Sequence, residues 1–222
     1  REYVIWQALR HPNILPLLEF LNNFMEDTLP DVPALVSPWM GKGTLVNYLE
    51  HHPQESKIDM LLEVAKGLNY LHSQNIVHGD IRGGNILVST EGIPCLTDFG
   101  LSRLLNKTRG LTTTSELAGS VRWMAPELLL NMTDQKPKMS SDIWAFGMTI
   151  LEIMTGTRPF AKIGPDPAVF RAIMVGMLPE RPEISEEIWQ LCSLCWTHEA
   201  TSRPDASQLL HLLRLERLLA SL

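Results

Sequence analysis

The 222-residue chain is 45% hydrophobic and 20% charged, with a net charge of −6. That composition supports a normal buried core in one domain and excludes a disordered polymer. The acidic balance disfavours a nucleic-acid backbone or an anionic membrane as the main partner, because either needs a basic face, and no apolar run reaches membrane-spanning length.

Residues 1–9 read as the end of a helix, with Val4, Ile5 and Leu9 on one side, and His11-Pro12-Asn13 stops it. Two apolar runs, 14–20 and 33–37, flank the polar stretch 22–31 and read as paired strands. Gly41 and Gly43 loosen the chain before a short helix over 45–51. From Met60, the residues Leu61, Val64, Ala65, Leu68, Leu71 and His72 recur at helical spacing. Short strands are predicted at 86–89 and 94–97, then a polar loop from Asp98 to about Ala125. Loops that long are usually functional. Helices follow at 140–154, 166–177, 183–196 and 206–219, the first opened by Ser140, Ser141 and Asp142. Strands come early and helices late, which predicts an α+β fold with a large helical portion.

Two pairs of residues invite sharper readings that the pattern does not support. Cys192 and Cys195 form Cys-x-x-Cys, but no second Cys/His pair is spaced for zinc, so they read as small hydrophobes on one helix face. His51-His52 has no third ligand and reads as a solvated helix end. Three cysteines in all, with no secretory signal, predict a reducing, intracellular (cytoplasmic) setting.

The chemistry concentrates in His78-Gly79-Asp80-Ile81-Arg82-Gly83-Gly84-Asn85, followed by Asp98-Phe99-Gly100. Asp80 and Asn85 are five apart in a segment with adjacent glycines, a spacing that lets two side chains converge. Phosphoryl transfer asks a protein chiefly for alignment and for charge neutralisation on the phosphate oxygens. A carboxylate beside the attacking hydroxyl orients it. A carboxylate plus an amide suit Mg²⁺. A cation such as Arg82 can reach the transferring phosphate. Either motif alone is weak, but both in order, with Ala125-Pro126-Glu127 closing the following loop, make a specific set.

With that set the chain resembles a eukaryotic protein kinase from residue 1 nearly to its end. The resemblance implies a protein-kinase-like α+β fold, with 1–37 the remainder of the small lobe, 38–42 the hinge and 43–222 the large lobe. It implies ATP and Mg²⁺ as cofactors and a protein Ser/Thr hydroxyl as acceptor. Asp80 would be the catalytic base, Arg82 would stand in for the usual lysine, and Asn85 and Asp98 would hold Mg²⁺. Glu2 would be the glutamate of the regulatory helix, and Trp6 would stack with Phe99 and His78. Gly100 would allow an unusual turn after Phe99. Ser37 would be a small gatekeeper, the Pro38 carbonyl and Met40 amide would bond adenine, and Leu87 would pack beneath it. Trp39 would sit partly exposed at the pocket mouth. Glu127 would pair with Arg203, and Asp142 would brace the catalytic-loop backbone. Gly119-Ser120 and Trp123-Met124-Ala125-Pro126-Glu127 are similar to the tyrosine-kinase-like group of serine/threonine kinases.

Two departures from that pattern carry expectations. Gly79 replaces the arginine that in many kinases meets a phosphate on the activation loop. Phosphorylation of Thr112, Thr113, Thr114 or Ser115 is therefore not expected to be required. The Gly-rich loop and the strand lysine would lie ahead of Arg1, so the 222 residues alone are expected to be a truncated domain of weak activity. The competing expectation is a pseudokinase-type scaffold, against which the retained Asp80, Asn85 and Asp98 argue.

Overall fold

The computed structural model describes residues 6–21, 34–98, 120–130 and 136–220. Residues 6–8 are helical, and the imidazole of His11 accepts the Asn13 amide at 3.1 Å as the helix ends. His11 also stacks on Tyr70 with ring centroids 4.9 Å apart. Strands β1 (Glu19–Leu21) and β2 (Ala34–Val36) pair antiparallel, Glu19 opposite Val36. They are shorter than the predicted runs, because residues 14–18 are divided between two partners. Ile14 bridges Leu96 in parallel and the Leu15 amide donates to the Leu96 carbonyl at 2.9 Å, while the Leu18 amide donates to Val36.

Helix α1 (Leu45–His51) starts at Thr44, whose hydroxyl accepts the Asn47 amide. Helix α2 (Lys57–Ser73) begins a turn earlier than predicted, since Ser56 caps it by accepting the Asp59 amide at 3.2 Å. Strands β3 (Ile86–Val88) and β4 (Pro94–Leu96) form an antiparallel hairpin lying over α2. Helices α3 (Pro126–Leu130), α4 (Met139–Thr155), α5 (Asp166–Met174), α6 (Glu186–Cys195) and α7 (Ala206–Leu219) complete the α+β arrangement.

Helix α4 is the pillar. Every residue from Ser141 to Ile153 is buried, as a helix apolar on all sides demands. A Cβ on Gly147 would lie 2.6 Å from the Cβ of Cys195, so this glycine sets how closely α6 approaches. The predicted start at Ser140 is one residue late. The Ser141 hydroxyl accepts the Lys138 amide at 2.9 Å and closes the first turn from Met139, which leaves Asp142 to turn inward.

Cys192 and Cys195 are buried free thiols, and burial pushes the Cys195 thiol up to about 12 and that of Cys195's neighbour Cys192 well up too. Both stay protonated and inert, as small hydrophobes. Leu209, Leu210, Leu212, Leu213, Leu218 and Leu219 cover a wide face of the last helix, a pattern that predicts packing along its whole length, but Leu218 and Leu219 are 62% and 57% exposed. The buried stripe of α7 runs through Ala206, Leu209, Leu210 and Leu213, and those two leucines lie off it at 3.6 residues per turn. Trp39 is 90% exposed, more open than the partial exposure expected of it.

Candidate active site

The site is assembled on Asp142. Buried on α4, its carboxylate accepts the His78 amide on Oδ2 and the Gly79 amide on Oδ1, both at 2.8 Å. His72, at the end of α2, places Nε2 2.8 Å from the same Oδ2. Gly79 sits at φ +83°, a conformation costly for any residue with a Cβ. The chain thus enters the loop bent around one buried carboxylate. Burial lowers the pKa of the His78 imidazole, with the nearby Asp142 charge opposing. A neutral His78 fits packing and accepts the Asp80 amide on Nδ1 at 3.3 Å.

The loop then presents Asp80. Asn85 Nδ2 donates to the Asp80 carboxylate at 2.7 Å and to its carbonyl at 2.8 Å. Arg82 Nε lies 3.5 Å from the same carboxylate, with about a third of its side chain exposed. The turn Gly83–Asn85 is a 3₁₀ helix leading straight into β3. With its amide nitrogen committed to Asp80, Asn85 has its carbonyl oxygen left for a hard cation, so the donor chemistry fits Mg²⁺. Asp98, just past β4, is exposed and held at φ +61°. A non-glycine residue there is uncommon and often functional.

Ser120 is brought to Asp80. Both line a cavity of about 20 Å³ with Gly79, Trp123 and Ala125. Beyond it, Arg203 donates to both oxygens of Glu127 at 2.7 and 2.9 Å, and the guanidinium lies 5.0 Å from the Trp144 ring. The expected connector follows β2: Ser37, Pro38 and Met40 are half-buried, and Thr44 bridges to Leu87 on β3. Trp6 is buried and its indole donates to the Leu15 carbonyl at 2.7 Å. Glu2, Phe99, Gly100 and Thr112, Thr113, Thr114 and Ser115 lie outside the described residues.

Two residues escaped the sequence reading. Glu152, 8% exposed on α4, accepts the Gly83 amide at 2.8 Å and the Trp123 indole at 3.1 Å. Burial raises its pKa, and those two donors oppose the rise. Its signal was a lone acid in the apolar run Ile150-Leu151-Glu152-Ile153-Met154. Arg122, 2% exposed, pairs with Asp166 at 2.9 Å and donates to the carbonyls of Pro159, Phe160, Ile163 and Gly164. Its signal was a cation between Val121 and Trp123.

The family model described as protein tyrosine and serine/threonine kinase matches residues 1–213. The serine/threonine-protein kinase CTR1 of Arabidopsis thaliana is 32% identical over 96% of the chain and 26% of its own length. The MAP3K epsilon protein kinase 2 of the same plant is 30% identical over 95% of the chain and 15% of its own length. The tyrosine-protein kinase Btk of Drosophila melanogaster is 30% identical over 91% of the chain and 25% of its own length. The chain therefore spans about a quarter or less of the length of these three relatives.

Proposed function

The chain belongs to the protein tyrosine and serine/threonine kinase family, in the tyrosine-kinase-like serine/threonine group, and we propose that it carries the catalytic residues for moving the γ-phosphate of ATP to a Ser or Thr hydroxyl of a protein. The observation that carries this reading is the Asp80 carboxylate, held by Asn85 at 2.7 Å beside Arg82 at 3.5 Å. When bound, MgATP supplies the phosphoryl group and the metal's charge.

The chain's own residues do the rest. Asp80 orients the acceptor hydroxyl and takes its proton late in transfer. Asn85 fixes the Asp80 side chain through Nδ2, and Asn85 and Asp98 are the residues that would hold Mg²⁺, whose charge would offset that of the phosphates. Arg82 offsets charge on the transferring phosphate. Ser120, on the same cavity wall as Asp80, positions the acceptor chain. Ser37, Pro38, Met40 and Leu87 form the adenine side, with 38–42 as the connector between lobes. Asp142 and the Glu127–Arg203 pair hold the loop and its downstream segment in register.

An intracellular signalling setting agrees with three free cysteines. Among the described residues no helix is long and apolar enough to cross a membrane.

The test is phosphate transfer from γ-labelled ATP to a Ser/Thr protein, comparing the natural protein with Asp98→Asn. Loss of transfer in the variant, with label on Ser or Thr, supports the reading. Equal transfer, or label on neither residue, refutes it.

A further inference from the structure

A cleft of about 470 Å³ lies between the end of α4, the 157–163 loop and the 177–182 segment. Leu151, Phe160, Ile163, Met177 and Leu178 give it an apolar floor, and Arg158, Lys162, Arg181 and Glu180 stand along it. The three cations face Glu180 in the lining and Glu186 beside it, which leaves a surplus of one positive charge, at Arg158, in a chain of net charge −6. Lys162 pairs with Glu180, and Arg181 with Glu186. Arg158 is exposed and makes no ion pair or side-chain hydrogen bond among the described residues.

The floor is also preformed. Phe160 is held at φ +56°, an outlier for a bulky residue. Such strain persists only where the surroundings over-determine it, and it gathers at ligand clamps. Here the buried Arg122 fixes it, donating to the carbonyls of Pro159 and Phe160 at 3.0 Å each. A floor rigid before binding lowers the ordering cost of an incoming ligand. Met177 and Leu178 are 51% and 39% exposed, so the apolar floor runs out onto open surface. That shape suits an extended chain passing across it.

We propose that this cleft docks an acidic peptide segment of a protein partner, one apolar side chain resting on Phe160 and Leu178 and a carboxylate against Arg158. The surface is separate from the residues assigned to phosphate transfer.

The probe is a displayed library of random dodecapeptides selected on the natural protein. The enriched peptides are expected to carry Asp or Glu flanking Leu, Phe or Trp. Arg158→Glu and Met177→Glu each weaken their binding about tenfold, and Lys-for-acid peptides recover affinity on Arg158→Glu. Both positions are exposed, so both variants keep the wild-type melting temperature. Enriched peptides that bind the two variants as well as wild type, or that are basic or uncharged, overturn the proposal. So does concentration-dependent self-association that the variants abolish while no peptide is enriched, which assigns the face to a second copy of this chain.

Discussion

Asp142 Oδ1 accepts the Gly79 amide at 2.8 Å, so the left-handed turn that leads to Asp80 hangs from a carboxylate buried in the central helix. The other oxygen serves the His78 amide and His72 Nε2 at 2.8 Å each. Asp142→Asn replaces one acceptor oxygen with a donor that must face a donor. We expect a loss of about 2–4 kcal/mol and a fall in transfer rate larger than any change in ATP affinity. Denaturant unfolding and steady-state kinetics read both.

Gly79 combines φ +83° with the absence of a side chain to meet a phosphate. Gly79→Ala is expected to cost about 1 kcal/mol for the left-handed backbone, since its Cβ meets Pro137 only at 3.4 Å. Replacing Thr112, Thr113, Thr114 and Ser115 together with Ala leaves the rate unchanged. Activity that vanishes in the quadruple variant and returns with acidic mimics contradicts this.

Arg203 has no exposed side-chain surface and forks onto Glu127, and it also donates to the Thr197 and Ser140 carbonyls. Lysine cannot reproduce that planar fork. Arg203→Lys is expected to destabilise by about 2–3 kcal/mol, because one ammonium cannot meet both Glu127 oxygens and the backbone carbonyls, and Arg203→Ala by more, because it strands a partly buried Glu127. Thermal unfolding of the two variants gives the order.

Glu152 makes a pH signature. Its folded pKa is raised by burial, so the native state binds more protons than the unfolded chain above the ordinary carboxylate range. Its contribution to stability is full below the unfolded pKa and is lost as pH rises through the folded value. Glu152→Gln keeps an acceptor and cannot ionise. The stability of wild type relative to Glu152→Gln is therefore expected to fall as pH rises from about 4.5 toward neutrality. A difference that is flat in pH contradicts the assignment.

Much of this was legible in the chain because the loop motif sits where local chemistry dominates. Asn85 and Asp80 converge through a short glycine-containing turn, so spacing alone foretold their contact. Glu127 and Arg203 are 76 positions apart, and only the resemblance paired them. Glu152 and Arg122 were missed because their roles come from tertiary burial: nothing local says that Gly83 and Trp123 will donate to one carboxylate. The strands shortened for a similar reason, since Ile14 found Leu96 across the fold instead of extending β1. Leu218 and Leu219 show the converse, where leucine content outran the face that α2 can cover.

In the proposed function Asp80 serves the chemical step rather than nucleotide binding. The most direct measurement is Asp80→Asn in the natural protein, with ATP affinity and the single-turnover rate of Ser/Thr phosphorylation followed side by side. Loss of a catalytic base is expected to lower the rate about 10²–10⁴-fold with ATP affinity little changed. An undiminished rate, or a loss wholly accounted for by weaker ATP binding, would contradict it.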